Sequence, residues 1–204
     1  MASETGRPRD PDVDRRIVAA ARSILRDAGL DALTVSGVAA AAGVGRPTVY
    51  RRFAAPTEIA MAVLYEDIEA LVPEATSARD GQAPVLEQLL AVSDPFLTYY
   101  ARNPGLSAAL LELAFFGEGP WRERLEGQAA AWVTQLAADL AGATTDGRLE
   151  PDVDVRTLLE AYFALYLSVA VGGARQLFDL DGQRALLRRL LEQHLRGLVP
   201  RSGR

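Results

Sequence analysis

The most directional chemistry in this chain lies in the run RPTVYRR, residues 46–52, which offers Arg46, Thr48, Tyr50, Arg51 and Arg52 behind Pro47. A guanidinium can bond the O6 and N7 of guanine as a two-pronged fork, a threonine methyl can touch thymine, and a tyrosine hydroxyl can bond a phosphate oxygen. At 100° per residue, Val49 and Phe53 point together with Arg46 and Tyr50 on their flank, while Pro47, Thr48, Arg51 and Arg52 occupy the other side. The segment therefore has an apolar inside and a cationic outside. Short helices with two or three arginines also occur as plain solvated surface, so these residues alone leave both readings open.

The inventory removes most other chemistry. All 22 basic residues are arginine, cysteine is absent, and His194 is the single histidine. That excludes a P-loop lysine, a Schiff-base lysine, a thiolate nucleophile and cysteine-ligated metal, and it leaves any triad dependent on one imidazole. Asp10, Asp12 and Asp14 have the alternate spacing of a calcium loop, but Arg15 and Ala21 stand where its glycine and distal glutamate belong. They read as acids at a helix start, as do Asp152 and Asp154. The expectation is no metal, no cofactor and no catalysis.

Charge is uneven along the chain. Residues 1–60 hold nine arginines and seven acids, the remainder thirteen and twenty, within a net charge of −5. The positive end suits an anionic partner, although such asymmetry is also found on ordinary surfaces. The first sixteen residues contain no apolar run, so a cytoplasmic protein is expected. The uncharged stretch 161–174 has 14 residues, short of the ~20 of a membrane helix, and reads as a buried helix with no membrane partner.

Helical periodicity dominates, and no alternating strand pattern stands against it, so the fold class is all-α. A first helix over Val13–Ala28 carries Ile17, Ala21, Ile24 and Leu25 on one face and stops at Gly29. Thr34 can cap a short helix in which Val35, Val38, Ala39 and Ala42 recur at helical spacing. Gly43-Val44-Gly45 breaks it before a helix over Arg46–Phe53. A longer one follows over Pro56–Glu74, then a loop at 76–84. Further helices are predicted near 84–103, 105–116, 120–142, 153–179 and 183–198, with Pro95 kinking or restarting the first of these.

Two short helices joined by a tight glycine turn, the second exposing arginine and threonine, form the layout of a helix-turn-helix. The run LTVSGVAAAAGVGRPTVYRRF (33–53) resembles the DNA-binding signature of the tetracycline-repressor (TetR) family of bacterial one-component regulators. The parts that carry the likeness are Leu33-Thr34, Val38-Ala39, Ala42-Gly43-Val44, Thr48, Tyr50 and Phe53. The resemblance implies an N-terminal three-helix helix-turn-helix domain over 1–55, with 1–11 as a flexible arm, and a helical-bundle domain over 56–204 for effector binding and dimerisation. It implies that Thr34 and Ser36 contact phosphate, that Arg46, Pro47, Thr48 and Arg51 face base edges, and that Tyr50 and Arg52 anchor to the DNA backbone. One position departs: the family usually starts its fourth helix with Ser-Lys, and here Ala55-Pro56 stand, so one phosphate contact is missing. Gly6-Arg7-Pro8-Arg9 reads either as an arm for an A·T-rich minor groove or as a tail without fixed structure.

Eleven of the fourteen aromatic residues lie between Phe96 and Phe178. By the resemblance, an effector cavity is lined by Phe96, Tyr99, Tyr100, Phe115, Phe116, Trp121, Trp132 and Tyr162; for any one of them ordinary core packing is the competing role. As a group they favour a small hydrophobic or aromatic effector. Tyr166 lies in the uncharged stretch, and Leu187, Leu190, Leu191, His194 and Leu198 form a stripe on the last helix. Pairing these two helices across a two-fold axis would make a homodimer and set two recognition helices ~34 Å apart. The expected function is a DNA-binding transcriptional regulator, a repressor released from a pseudo-palindromic double-stranded operator by the effector. The alternative is a helical ligand-binding and dimerisation module without specific DNA binding.

Overall fold

The computed structural model describes residues 11–104, 107, 108, 111 and 120–200, leaving the side chains of 120–122, 125 and 129 aside. The described residues are helical, with no strand among them. The arm before Pro11, the helix expected at 105–116, Phe115, Phe116 and the Trp121 side chain lie outside this description.

Helix α1, Pro11–Ala28, turns Ile17, Val18, Ala21 and Leu25 inward. It begins two residues before the expected start, because a proline in the first turn has no hydrogen bond to lose. Gly29 ends it with φ 76° and its N–H on the Leu25 carbonyl. A one-turn 3₁₀ segment, Leu30–Ala32, leads to α2, Val35–Ala42, whose start is capped by the Thr34 hydroxyl accepting from the Gly37 N–H at 3.1 Å. Helix α3 spans Arg46–Tyr50, three residues shorter than expected. The N–H groups of Arg52 and Phe53 both converge on the Val49 carbonyl at 2.9 Å, which tightens the last turn and swings Phe53 back into the core.

Helix α4 runs over Pro56–Ser77, through Pro73 and beyond the expected end at Glu74. Ile59–Leu64 are all buried with α1, α2 and α3, whereas Leu71 and Ala75 belong to a second core. The boundary between the two cores therefore falls inside α4, and not between residues 55 and 56. The helix is a rod shared by both.

Helix α5, Val85–Arg102, passes through Pro95 as one element, so of the expected kink or restart the restart does not occur. Val92, Phe96, Leu97 and Tyr100 are buried on either side of the proline, and that packing outweighs one lost backbone bond. Helices α6 (Pro120–Thr145), α7 (Val155–Ala174) and α8 (Leu180–His194) complete the second core. Asp154 and Asp179 cap α7 and α8 by accepting from the N–H groups of Arg156 and Gly182 at 3.0 and 2.8 Å. Helix α7 stops five residues before the expected 179. Its end packs so tightly on α8 that a Cβ on Gly172 or Gly173 would meet Phe178 or Gln183 at 2.3 Å. By length and hydropathy α7 could cross a bilayer, but Leu158, Leu159, Tyr162, Val169 and Ala170 pack into the second core.

Candidate nucleic-acid interface and ligand cavity

The turn between α2 and α3 is built from backbone geometry. Gly43 sits at φ 63°, ψ 39°, a left-handed conformation that favours glycine, and the N–H groups of Gly43 and Val44 close on the carbonyls of Ala40 and Ala39 at 3.2 and 3.0 Å. The remaining carbonyls at this helix end are taken by Arg16 of α1. Its guanidinium bonds the Ala42 oxygen at 3.0 and 2.8 Å and the Gly43 oxygen at 3.0 Å. A cation at a helix C-terminus also complements the dipole, so Arg16 locks the angle at which α3 leaves α2. The periodicity gave no hint of this role.

Helix α3 lies on that platform through Val49, fully buried, and Phe53, 4% exposed. Arg46, Pro47 and Arg51 point to solvent, Thr48 is half-buried at the rim, and Tyr50 is 56% exposed. Thr34 and Ser36 are exposed at the start of α2. Thr34 has spent its oxygen lone pair on the cap, but its hydroxyl proton remains free to donate.

Arg52 departs from expectation. Its guanidinium pairs with Asp14 of α1, and its side chain is only 10% exposed. The wheel placed it outward by assuming a helix through Phe53; the tightened turn after Tyr50 rotates it inward instead. Arg52 is therefore a brace between α1 and α3, and its assignment as a DNA-backbone anchor is corrected. Arg22 is similarly engaged, by Asp67 and Glu66 of α4 at 2.9 Å each, and Arg15 pairs with Asp12 at 3.2 Å. With these internal roles filled, Arg46 has no acidic partner among the described residues, and Arg51 meets only the Thr48 hydroxyl at 3.5 Å.

Where the expected lysine would open α4, Ala55 precedes Pro56 without a side-chain cap. Glu58 folds back to accept from the Ala54 N–H at 2.7 Å. That contact holds the loop and adds a carboxylate where the family pattern has a cation.

The second core holds a cavity of about 210 Å³ that is partly open to solvent. Phe96, Tyr100, Trp132 and Tyr162 line it as expected, together with Ile68, Val72, Gln128, Val133, Phe163 and Tyr166, which sequence reasoning missed. The rings of Phe96 and Phe163 meet Trp132 edge-on at 5.9 and 5.6 Å. Tyr162 shares a buried hydrogen bond with Ser93 at 2.8 Å, and Ser93 donates onward to the Leu89 carbonyl at 2.7 Å. Tyr100 and Tyr166 interact hydroxyl to hydroxyl. Burial pushes the ionisation of Tyr100, Tyr162 and Tyr166 upward, so the wall is neutral.

Tyr99 is not in the wall. It projects from the adjoining face of α5, about 100° round from Tyr100, and its hydroxyl donates to Asp67, the carboxylate that also holds Arg22. Burial, then the bond to Asp67, pushes its ionisation far up, so it remains a donor. The chain Tyr99, Asp67, Arg22 thus joins α5 to α4 and α1, one residue from the cavity-lining Tyr100.

The family model described as "Bacterial regulatory proteins, tetR family" matches residues 17–63. Over these residues the chain is similar to the DNA-binding region of the tetR family. An uncharacterized HTH-type transcriptional regulator of Mycobacterium bovis is 37% identical over 83 residues, 41% of this chain and 44% of that relative. The chain is thus matched over less than half the length of the curated relative. Among solved structures, FadR from Bacillus subtilis in complex with stearoyl-CoA has a TM-score of 0.71 at 19% identity, over 86% of this chain and 96% of that one. Thermus thermophilus FadR in complex with lauroyl-CoA has a TM-score of 0.67 at 20% identity, over 93% and 97%. A TetR-like regulator from Rhodococcus sp. RHA1 has a TM-score of 0.66 at 19% identity, over 94% and 100%. These likenesses extend the tetR-type helical fold to the second core.

The stripe assigned to the dimer interface is corrected in part. Leu187 and Leu191 are fully buried within the single chain, packed with α5 and α7, and Tyr166 faces the cavity. The sequence pattern showed an apolar face on α8 but not that α5 already covers it. Leu190, His194 and Leu198 are half-buried. Besides Tyr50, the large apolar side chains left exposed among the described residues are Val171 at 38%, Leu177 at 65% and Val199 at 38%.

Proposed function

We propose that this protein is a cytoplasmic, homodimeric transcriptional regulator, a repressor that binds a pseudo-palindromic double-stranded operator and leaves it when a small hydrophobic molecule fills the cavity. The observation that carries the reading is the division of arginines around the helix-turn-helix. Those facing α1 and α4 are engaged internally, while Arg46 and Arg51 stand beside Thr48 and Tyr50 on the outer face of α3. In the major groove Arg46, Thr48 and Arg51 read base edges with Pro47 against them, and Tyr50, Thr34 and Ser36 hold phosphates. The second protomer docks through α7 and α8, with Val171 and Leu177 in the contact together with Leu190, His194 and Leu198. The tetR-family match of residues 17–63 and the acyl-CoA complexes of two structural neighbours support a DNA partner and an apolar effector.

Effector release then follows from linkage. A ligand that binds better to one arrangement of α4 than to the other shifts the protein toward it, and α4 carries the first core with it. The test uses fluorescence anisotropy with the intergenic DNA beside the coding region, at two salt concentrations. Arg46→Ala and Thr48→Ala are each expected to weaken specific binding about tenfold or more, with the dimer still folded, since one good base contact is worth ~1–3 kcal/mol. If both variants bound that DNA as the wild type does, the recognition assignment would fall.

A further inference from the structure

Two polar groups in the cavity wall have no partner. The side-chain oxygen of Gln128 and the indole N–H of Trp132 are both buried and make no hydrogen bond. They are four residues apart on α6, hence on one face of the helix and neighbours in space. The other described polar groups of the wall are engaged. The Tyr162 hydroxyl is committed to Ser93, and Tyr100 and Tyr166 face each other. A buried donor or acceptor left unmade costs ~1–3 kcal/mol, and here an acceptor and a donor are left together.

Among the described residues the rest of the wall is hydrocarbon and aromatic, and no arginine, aspartate or glutamate of that set lines it. An anionic group would therefore enter without a counter-charge, at a desolvation cost the cavity does not offset. Size sets a second limit: a dry cavity of ~150 Å³ takes one benzene, whereas drug-sized sites run to ~300–1,000 Å³. A cavity of about 210 Å³ lies between these and suits a single substituted ring.

We infer that the ligand is a small uncharged ring compound bearing one hydroxyl, whose oxygen accepts from the Trp132 indole N–H while its proton is donated to the Gln128 side-chain oxygen. The inference rests on the effector reading above and narrows it, and it separates this chain from neighbours solved with acyl-CoA. A hydroxyl is the smallest neutral group that satisfies both orphans at once.

The test is a matched set of probes on the full-length protein, read by isothermal titration: 4-propylphenol, propylbenzene, 4-propylbenzoate and stearoyl-CoA. Expected is at least tenfold tighter binding of the phenol than of the hydrocarbon, with no measurable binding of the benzoate or the thioester. In Gln128→Leu, and separately in Trp132→Phe, phenol and hydrocarbon should converge to within a few-fold while propylbenzene binds as it does to the wild type. Equal affinity for phenol and hydrocarbon in the wild type would overturn the inference, as would tighter binding of either anion. The regulator reading has its own readout, release of bound DNA. Stearoyl-CoA releasing DNA while the phenol fails to bind overturns the ligand class and leaves the regulator standing. Phenol binding that needs Gln128 and Trp132 but leaves DNA bound supports the site and counts against the effector role.

Discussion

The two cores that share α4 are packed to different standards. Around α1, α2 and α3 the interior is Ile17, Leu25, Val38, Val49, Phe53, Ile59 and small alanines, and the cations of that region either brace the outside or face away. In the second region lie all four buried polar residues among those described, Gln88, Ser93, Ser107 and Gln183, as well as the aromatic cavity with its unpartnered Gln128 and Trp132. Filled space favours a single arrangement, and a helix that must present side chains to base edges needs one. Unfilled space with unmade hydrogen bonds leaves a core whose best packing waits for a ligand. On the proposed function, the difference suits the first region to reading and the second to sensing, with α4 belonging to both.

Enlarging one side chain in each core tests this contrast most severely. Ala39→Leu adds bulk where α2 meets α3 and should cost ~1–3 kcal/mol while displacing the recognition helix, so that DNA binding is lost along with stability. Val72→Phe adds more atoms, but into the cavity wall, and should stay within ~1 kcal/mol of the wild type while abolishing ligand binding. Thermal unfolding of the two variants ranks the costs. If the larger insertion proved the more destabilising, the cavity would not be open space in solution.

What was legible in the sequence divides along the same line. The helix-turn-helix could be read because its determinants are local: a cap at Thr34, a left-handed glycine at 43, a proline in the first turn of α3. Arg52 could not, because its partner Asp14 is 38 residues away and a wheel knows nothing of α1. Tyr99 and Tyr100 are adjacent aromatics with identical chemistry, yet a 100° step sends one to Asp67 and the other into the cavity. Gln128 was passed over because an aromatic search ignores amides, although its i, i+4 relation to Trp132 was available. Leu187 and Leu191 were read as unpaired for want of knowing that α5 lies over them.

If the two regions communicate through the bridge formed by Tyr99, Asp67 and Arg22, then weakening the bridge should change coupling more than either binding event. Asp67→Asn removes the charge that holds Arg22, while Glu66 still pairs with the guanidinium at 2.9 Å. The Asp67 side chain is only 11% exposed, so a stability loss of ~1–3 kcal/mol is expected from the lost charged hydrogen bonds. DNA affinity without ligand and ligand affinity without DNA should each move by less than about threefold. The ligand-induced drop in DNA affinity should shrink severalfold, because coupling free energies of ~1–3 kcal/mol are easily eroded by one contact. Unchanged coupling in Asp67→Asn would mean that α4 transmits through its apolar contacts alone.

The smallest effect belongs to the surface ties within the sensing region, where Arg188 of α8 forks onto Glu87 of α5 at 2.7 and 3.0 Å. Both side chains are close to half exposed, so solvent screening limits the pair to ~0.2–1 kcal/mol despite its two-pronged geometry. The bond from Arg188 holds the Glu87 carboxyl below its ordinary value of 4.5. A carboxylate whose ionisation is lowered by folding contributes stability above the unfolded value and loses it as pH falls through the folded one. Arg188→Ala should therefore lower the unfolding temperature slightly at pH 7, less so at high salt, and the gap to the wild type should shrink as the pH falls below the ordinary carboxyl value. The equivalent loss in the first region, Arg52→Ala, should exceed it at pH 7, because that guanidinium is 10% exposed against 45% for Arg188. Equal losses would show that burial of the brace adds nothing, and the two regions would then differ in their interiors but not in their ties.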